Sequence, residues 1–261
     1  MTDGYDSAFL ATAVPIPGPA GEVRDLAYPR FSVLLDPARR LAAVTGVNID
    51  GALLRDLPRV GDWRLDPRIP AEEQTGPEVY SRNDLDRGHL VRRRDPGWGE
   101  TADAQEAMEA TFFYPNAAPQ AAGFNQSKEL WLGLEDHVLA YAETTDQRLS
   151  VFTAPVLDDD DPEYRGIRIP LRFWKIAAWH GPTGLRAAGF VLDQTELVDT
   201  RDGLLAHPPL GAFRTFQVPV ADIAGITGVD LGPLPASDVL QDQNLQSGGW
   251  RSLGSAEDVI L

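Results

Sequence analysis

The four residues Asp86-Arg87-Gly88-His89 form the densest group of side chains in this chain that could carry out a reaction. A histidine is the side chain best suited to accept a proton near neutral pH, an arginine meets a phosphate through parallel hydrogen bonds, and a glycine permits close approach to the backbone. After Leu90 and Val91 come Arg92, Arg93 and Arg94. They read equally as a phosphate-guiding patch beside His89 and as a solvated face paired with Asp95 and Glu100. Alone, the string is a weak signal, because an isolated histidine is more often structural than catalytic. Of the other histidines, His137 falls in a helical pattern, and His180 and His207 stand beside Gly or Pro in turn-like contexts. Asp158 to Asp161 lacks the alternation and terminal Glu of a calcium loop and reads as a solvated turn. With no cysteine in the chain, disulfides, thiolate nucleophiles and Cys-bound metals are excluded.

The elements that must hold these side chains are written in the hydrophobic pattern. Residues 1–25 read as an extended N-terminal segment. Arg30 to Asp36 and Leu41 to Asn48 read as two strands of a hairpin, and residues 55 to 85, rich in Pro, Gly and charge, as a long surface excursion. An excursion of that length hints at function. Thr101 to Phe112 is helix-like, with Thr101 as the N-cap, and a second helix is expected from Ser127 to Glu143 with Leu130, Leu134 and Val138 on one stripe. Arg148 to Pro155, Phe173 to Trp179, Leu185 to Leu192 and Phe213 to Val220 have the composition of strands, while Ser237 to Trp250 is polar and irregular. Trp174 and Trp179 read as sheet packing rather than base-stacking platforms. The expectation is one α+β domain over residues 1–261, with a central, mostly antiparallel sheet.

The chain has 261 residues, 43% of them hydrophobic, enough for a sizeable core, and no run of about 18 apolar residues that would span a membrane. Its formal charge of −16 repels phosphate backbones at long range. A nucleic-acid enzyme of this charge must concentrate its positive potential locally. Residues 81 to 100 hold five arginines against four acids, whereas residues 221 to 261 hold one arginine against six acids. The N-terminus carries acids where a secretory signal carries bases, with only a short apolar stretch from Phe9 to Val14. No standard signal peptide is expected, which places the protein in the cytoplasm or on another export route.

A second constellation changes the reading of His89. Tyr114-Pro115-Asn116-Ala117-Ala118-Pro119-Gln120, Phe124-Asn125-Gln126 and Trp131-Leu132-Gly133-Leu134-Glu135 follow the Asp-Arg-Gly-His string in order. Together with Asn48-Ile49-Asp50-Gly51 and Phe152-Thr153-Ala154-Pro155, this arrangement resembles the DNA/RNA non-specific endonuclease family of ββα-metal nucleases. The resemblance covers most of the chain. It implies a ββα-metal module embedded in the fold and hydrolysis of DNA and RNA to 5′-phosphorylated ends. His89 then matches the general base, Asn125 the direct protein ligand of a single Mg²⁺ (with Mn²⁺ as an alternative), Glu135 a carboxylate that binds the metal's waters, and Asn116 an asparagine that holds the site's geometry. Arg59, in the stretch Arg59-Val60-Gly61-Asp62-Trp63-Arg64-Leu65-Asp66-Pro67, matches the arginine that stabilises the transition state, with Arg55, Arg64 and Arg68 as close competitors. Arg87 matches an arginine that touches phosphate or braces the site, with Arg92 and Arg93 as further candidates for substrate binding from the patch reading above, and Asp86 supports the site from behind. The implied partners are DNA and RNA as substrates and a protein inhibitor, in a monomer or homodimer.

One departure stands out. Asn125 and Glu135 are ten residues apart, two more than the family pattern, and on a continuous helix they would be about 15 Å apart. Either the chain between them is irregular or Glu135 reaches the metal through water. Two rival readings remain, a non-catalytic descendant that binds nucleic acid or a protein partner through the same groove, and an acidic mimic of nucleic acid. On the catalytic reading, activity falls as His89 protonates.

Overall fold

The computed structural model describes residues 3–121, 131–198, 214–241 and 249–261. Its centre is an eight-stranded sheet in which every neighbouring pair is antiparallel. The strands are β1 (Arg24–Tyr28), β2 (Phe31–Asp36), β3 (Leu41–Asp50), β6 (Arg148–Val156), β9 (Arg172–Gly181), β10 (Gly184–Asp193), β11 (Arg214–Val218) and β12 (Arg251–Ser252), in that spatial order, while the short strands β7 (Glu163–Tyr164) and β8 (Ile167–Arg168) pair with each other. The expected hairpin is β2–β3, with a bulge between Leu34 and Leu35. The strand expected from Phe213 ends at Val218, because Pro219 interrupts it and a helix begins at Val220. The sequence reading missed β1, which begins at the end of the segment read as extended and runs past it, and that helix.

The central strands are apolar on both faces because both faces are covered. Leu149, Val151, Phe173, Ala177 and Trp179 belong to one core, and Phe152, Ala154, Trp174, Ile176 and Ala178 to the other. Trp174 and Trp179 are thus buried on opposite faces, as packing. The second face is covered by the N-terminal segment through Leu10 and Val14 and by the helix Val220–Thr227 through Val220 and Ile223.

The first face carries the elements of interest. Strands β4 (Leu85–His89) and β5 (Ala117–Ala121) form a separate antiparallel ribbon with His89 opposite Ala117. Between them runs helix α2 (Thr101–Ala110), the second helix after a short turn α1 (Pro77–Tyr80). Glu100, not Thr101, is its N-cap, and no side chain caps it. After the ribbon comes α3 (Trp131–Thr145). The expected start of this helix, Ser127 to Leu130, lies outside the described residues. Leu134, Val138, Leu139 and Ala142 dock α3 on the first face, an i, i+4, i+8 stripe. Close approach is possible because position 51 is a glycine: a Cβ there would stand 2.0 Å from the Ala142 carbonyl oxygen. Two strands followed by a helix, on one side of a large antiparallel sheet, is the ββα order the resemblance implies.

The excursion over residues 55 to 85 is pinned by buried polar groups instead of a hydrophobic period. Tyr28 donates to Asp66 Oδ2 (2.7 Å), Arg68 forms an ion pair with it (2.6 Å), and Gln74 exchanges two hydrogen bonds with the Asp66 backbone. Burial pushes the Asp66 carboxyl up, but the hydrogen bonds from Arg68 and Tyr28 prevail and hold it below the usual carboxylate range. The turn Asp158 to Asp161 is exposed except at Asp161, which pairs with Arg39 at 2.6 Å.

Candidate active site

His89 ends β4 and is walled by aromatic rings from the excursion and from the end of α2. The Trp63 ring lies 4.5 Å from the imidazole, centroid to centroid, and Phe112 meets it edge-on at 5.0 Å. Its Nε2 is buried with no hydrogen-bond partner. Burial, and then the guanidinium charges of Arg59, Arg92 and Arg93, push the imidazole down to about 3. Each effect disfavours the cation, so at neutral pH the group is a neutral imidazole.

Gly88 and Asn116 hold His89 in place. A Cβ on Gly88 would fall 2.0 Å from the Gln120 side chain, which is buried across the ribbon. Gly88→Ala is therefore expected to lower stability by about 1–3 kcal/mol, the cost of overpacking; a chemical denaturation curve unchanged from wild type would refute the fit described. Asn116 is fully buried and spends its side chain on the backbone: Nδ2 donates to Val91 O (2.8 Å) and Thr111 O (2.9 Å), and Oδ1 accepts from Val91 N (2.9 Å). It thereby ties the residues after His89 to the end of α2.

Arg92 links the ribbon to α3. Its Nε lies 3.3 Å from Glu135 Oε2 and its Nη2 donates to Asp136 at 2.7 Å, while Nη1 is buried without a partner. Glu135 is only 8% exposed; Lys175 Nζ stands 3.4 Å from its Oε1, which accepts no hydrogen bond. Asp95 completes the cluster by accepting from the Arg92 backbone. Burial raises the Asp95 carboxyl to about 6, against the pull of Arg92 and Lys175. Arg93 donates to Leu57 O at 2.9 Å.

Among the four competing arginines, geometry separates one. Arg55 donates to Gly99 O, Arg64 lies over Phe113, and Arg68 is engaged with Asp66 and the Ala27 carbonyl. Arg59, over Phe112 at 5.0 Å, is the one whose charge acts on His89. Arg87 is exposed on the His89 side of β4 and Asp86 is half-buried on the other. Asn125 lies outside the described residues. Sequence reasoning missed the roles of Lys175, Trp63 and Phe112, and it named Asp95 as a partner of the arginine run but on a solvated face, whereas Asp95 is buried. Lys175 did leave a signal, as one of only two lysines, set in an apolar strand.

Among the described residues, no three His, Cys, Asp or Glu side chains converge on one point. A divalent cation held through amide and water oxygens would suit the hard, reluctantly dehydrated Mg²⁺. The buried, unbonded Glu135 Oε1 is an acceptor of the kind such waters need.

A family model for DNA/RNA non-specific endonucleases matches residues 11–238. The chain belongs to this family. Among DNA/RNA non-specific endonucleases and other relatives it is similar to the uncharacterized protein y4fB of Sinorhizobium fredii, at 40% identity over 258 residues, 87% of this chain but 38% of that one. It is 24% identical to nuclease C1 of Cunninghamella echinulata var. echinulata (82% of this chain, 86% of that). With human mitochondrial endonuclease G it shares 26% identity over 64% of this chain and 55% of that one. The fold is similar to that in the crystal structure of the EndoG/EndoGI complex, with a TM-score of 0.61 at 20% identity, over 80% of this chain and 85% of that.

Proposed function

We propose that the chain is a Mg²⁺-dependent endonuclease that hydrolyses phosphodiester bonds of DNA and RNA to 5′-phosphorylated products, with Mn²⁺ as an alternative metal. The observation that supports it best is a pair of buried acceptor atoms without hydrogen-bond partners, His89 Nε2 and Glu135 Oε1, on two residues that both feel the charge of Arg92. A neutral imidazole with an unoccupied nitrogen is a base ready to take a proton from water. When bound, the cation neutralises charge on the scissile phosphate and the leaving 3′ oxygen.

In this reading His89 removes the proton of the attacking water. Arg59 and Arg87 contact the phosphate and stabilise developing charge. Asn125 would hold the cation directly and Glu135 through water, while Asn116 keeps the His89 strand in register with α2. Arg93 faces the same phosphates, and Asp86 supports β4 from behind. Contacts confined to phosphate and sugar make cleavage indifferent to sequence. Such an activity endangers its host, so export or a protein inhibitor is part of the proposal, the latter in keeping with the EndoG/EndoGI complex.

The test is digestion of supercoiled plasmid and of total RNA by purified protein, with Mg²⁺ or with chelator. Both substrates should be cut only with metal, and Asn125→Ala should lose activity at fixed metal by about tenfold or more. A wild-type protein inert across divalent metals would leave binding without catalysis as the reading that survives.

A further inference from the structure

We propose that Lys175 is a positioning residue for Glu135, an inference that rests on the nuclease reading above. Its position in the sheet is the first argument. In β9 the side chains of Phe173, Ala177 and Trp179 enter the first-face core, and Lys175 shares their side of the strand. The ammonium is 1% exposed. A charge placed there needs a partner, and the strand itself offers none.

The second argument is a row of polar residues built across three strands. Thr45, Thr153 and Lys175 are direct cross-strand neighbours. Thr45 Oγ1 donates to Thr153 O at 2.6 Å, and Lys175 Nζ donates to Thr153 Oγ1 at 2.7 Å. The row fixes the ammonium beneath α3. From there it lies 3.4 Å from Glu135 Oε1, while Arg92 Nε lies 3.3 Å from Oε2. The carboxylate is held at both oxygens, from the sheet by Lys175 and from the ribbon side by Arg92.

This clamp leaves Glu135 one orientation and keeps it in place before any metal arrives. Lys175 touches neither substrate nor metal in this scheme; it acts through the carboxylate that it holds. Partners of this kind commonly set metal affinity by about 10–100-fold.

The experiment measures Mn²⁺ binding by calorimetry, and nucleic-acid cleavage as a function of Mg²⁺, for wild type, Lys175→Met, Glu135→Gln, the double variant and Lys175→Arg. Lys175→Met should weaken Mn²⁺ binding by about tenfold or more, the double variant should bind no more weakly than Glu135→Gln alone, and Lys175→Arg should recover most of the loss. Wild-type affinity in Lys175→Met, or a loss that adds in full to that of Glu135→Gln, overturns the assignment. If Lys175→Met does not fold, Thr153→Val takes its place: it removes only the hydroxyl that fixes the ammonium and should weaken binding several-fold, and unchanged affinity in that variant is equally fatal. A wild-type protein that neither binds metal nor cuts nucleic acid sinks the nuclease reading itself, whereas an active, metal-binding wild type with an unaltered Lys175→Met sinks only this inference.

Discussion

Replacing His89 with alanine should lower cleavage of both plasmid and RNA by about 10²-fold or more, the usual contribution of a general base, without loss of the fold. The pH dependence sharpens the test. Read from sequence alone, activity should fall as a histidine of ordinary pKa, ~6.5, becomes protonated. The structure moves that point. Burial, with Arg59, Arg92 and Arg93, holds the imidazole at about 3, so His89 protonation should not slow the reaction above about pH 5. A rate that drops with an apparent pKa near 6.5, and whose drop disappears in the variant, would refute the described environment. Stability offers a second readout. Between about pH 6.5 and 3 the unfolded chain binds a proton at His89 that the folded chain does not, so this residue's contribution is present above that window and is lost as pH falls through it. Asp95, raised to about 6, works in the opposite direction between its ordinary value and 6. The His89→Ala protein should therefore gain thermal stability relative to wild type as the pH is lowered from 6.5 to 4. A difference in Tm that does not vary with pH would contradict it.

Truncating Glu135 to alanine should have the largest effect on stability. It would leave the Lys175 ammonium, 1% exposed, and the Arg92 guanidinium, 15% exposed, facing each other without the carboxylate that joins them. Removing one partner of a buried ion pair costs about 3–5 kcal/mol, because the remaining charge stays desolvated. Urea denaturation should show a loss of this order for Glu135→Ala and a smaller one for Glu135→Gln, which keeps a polar oxygen facing Lys175 and Arg92. A Glu135→Ala protein as stable as wild type would show that the cluster is not held together by charge. Cleavage should fall by about 10–100-fold in either variant.

How much of this could be read from the chain depends on how local the cause was. The strands from Arg148 to Leu192 were legible because burial on both faces leaves continuous apolar and β-branched runs. The helix at Val220 was not: Pro219 is a helix N-cap there, but after a strand-like run the same residues read as more strand. The ribbon of β4 and β5 was hidden for another reason. Its strands have five residues each and pair across a gap of 27 residues that contains α2, so no turn signal marks them.

The candidate site divides along the same line. The residue types and their order, from Arg59 through the Asp-Arg-Gly-His string and Asn116 to Glu135, are properties of the sequence, and they were enough to name the family to which the chain belongs. What those residues experience is not in the order. That His89 is neutral and walled by Trp63 and Phe112, that Arg59 among four arginines acts on it, and that Glu135 is clamped between Arg92 and Lys175 were decided by tertiary packing. The physical reason is that desolvation and Coulomb interaction depend on distance in space. Lys175 lies 40 residues from Glu135 along the chain, and only the sheet brings its ammonium beneath the helix.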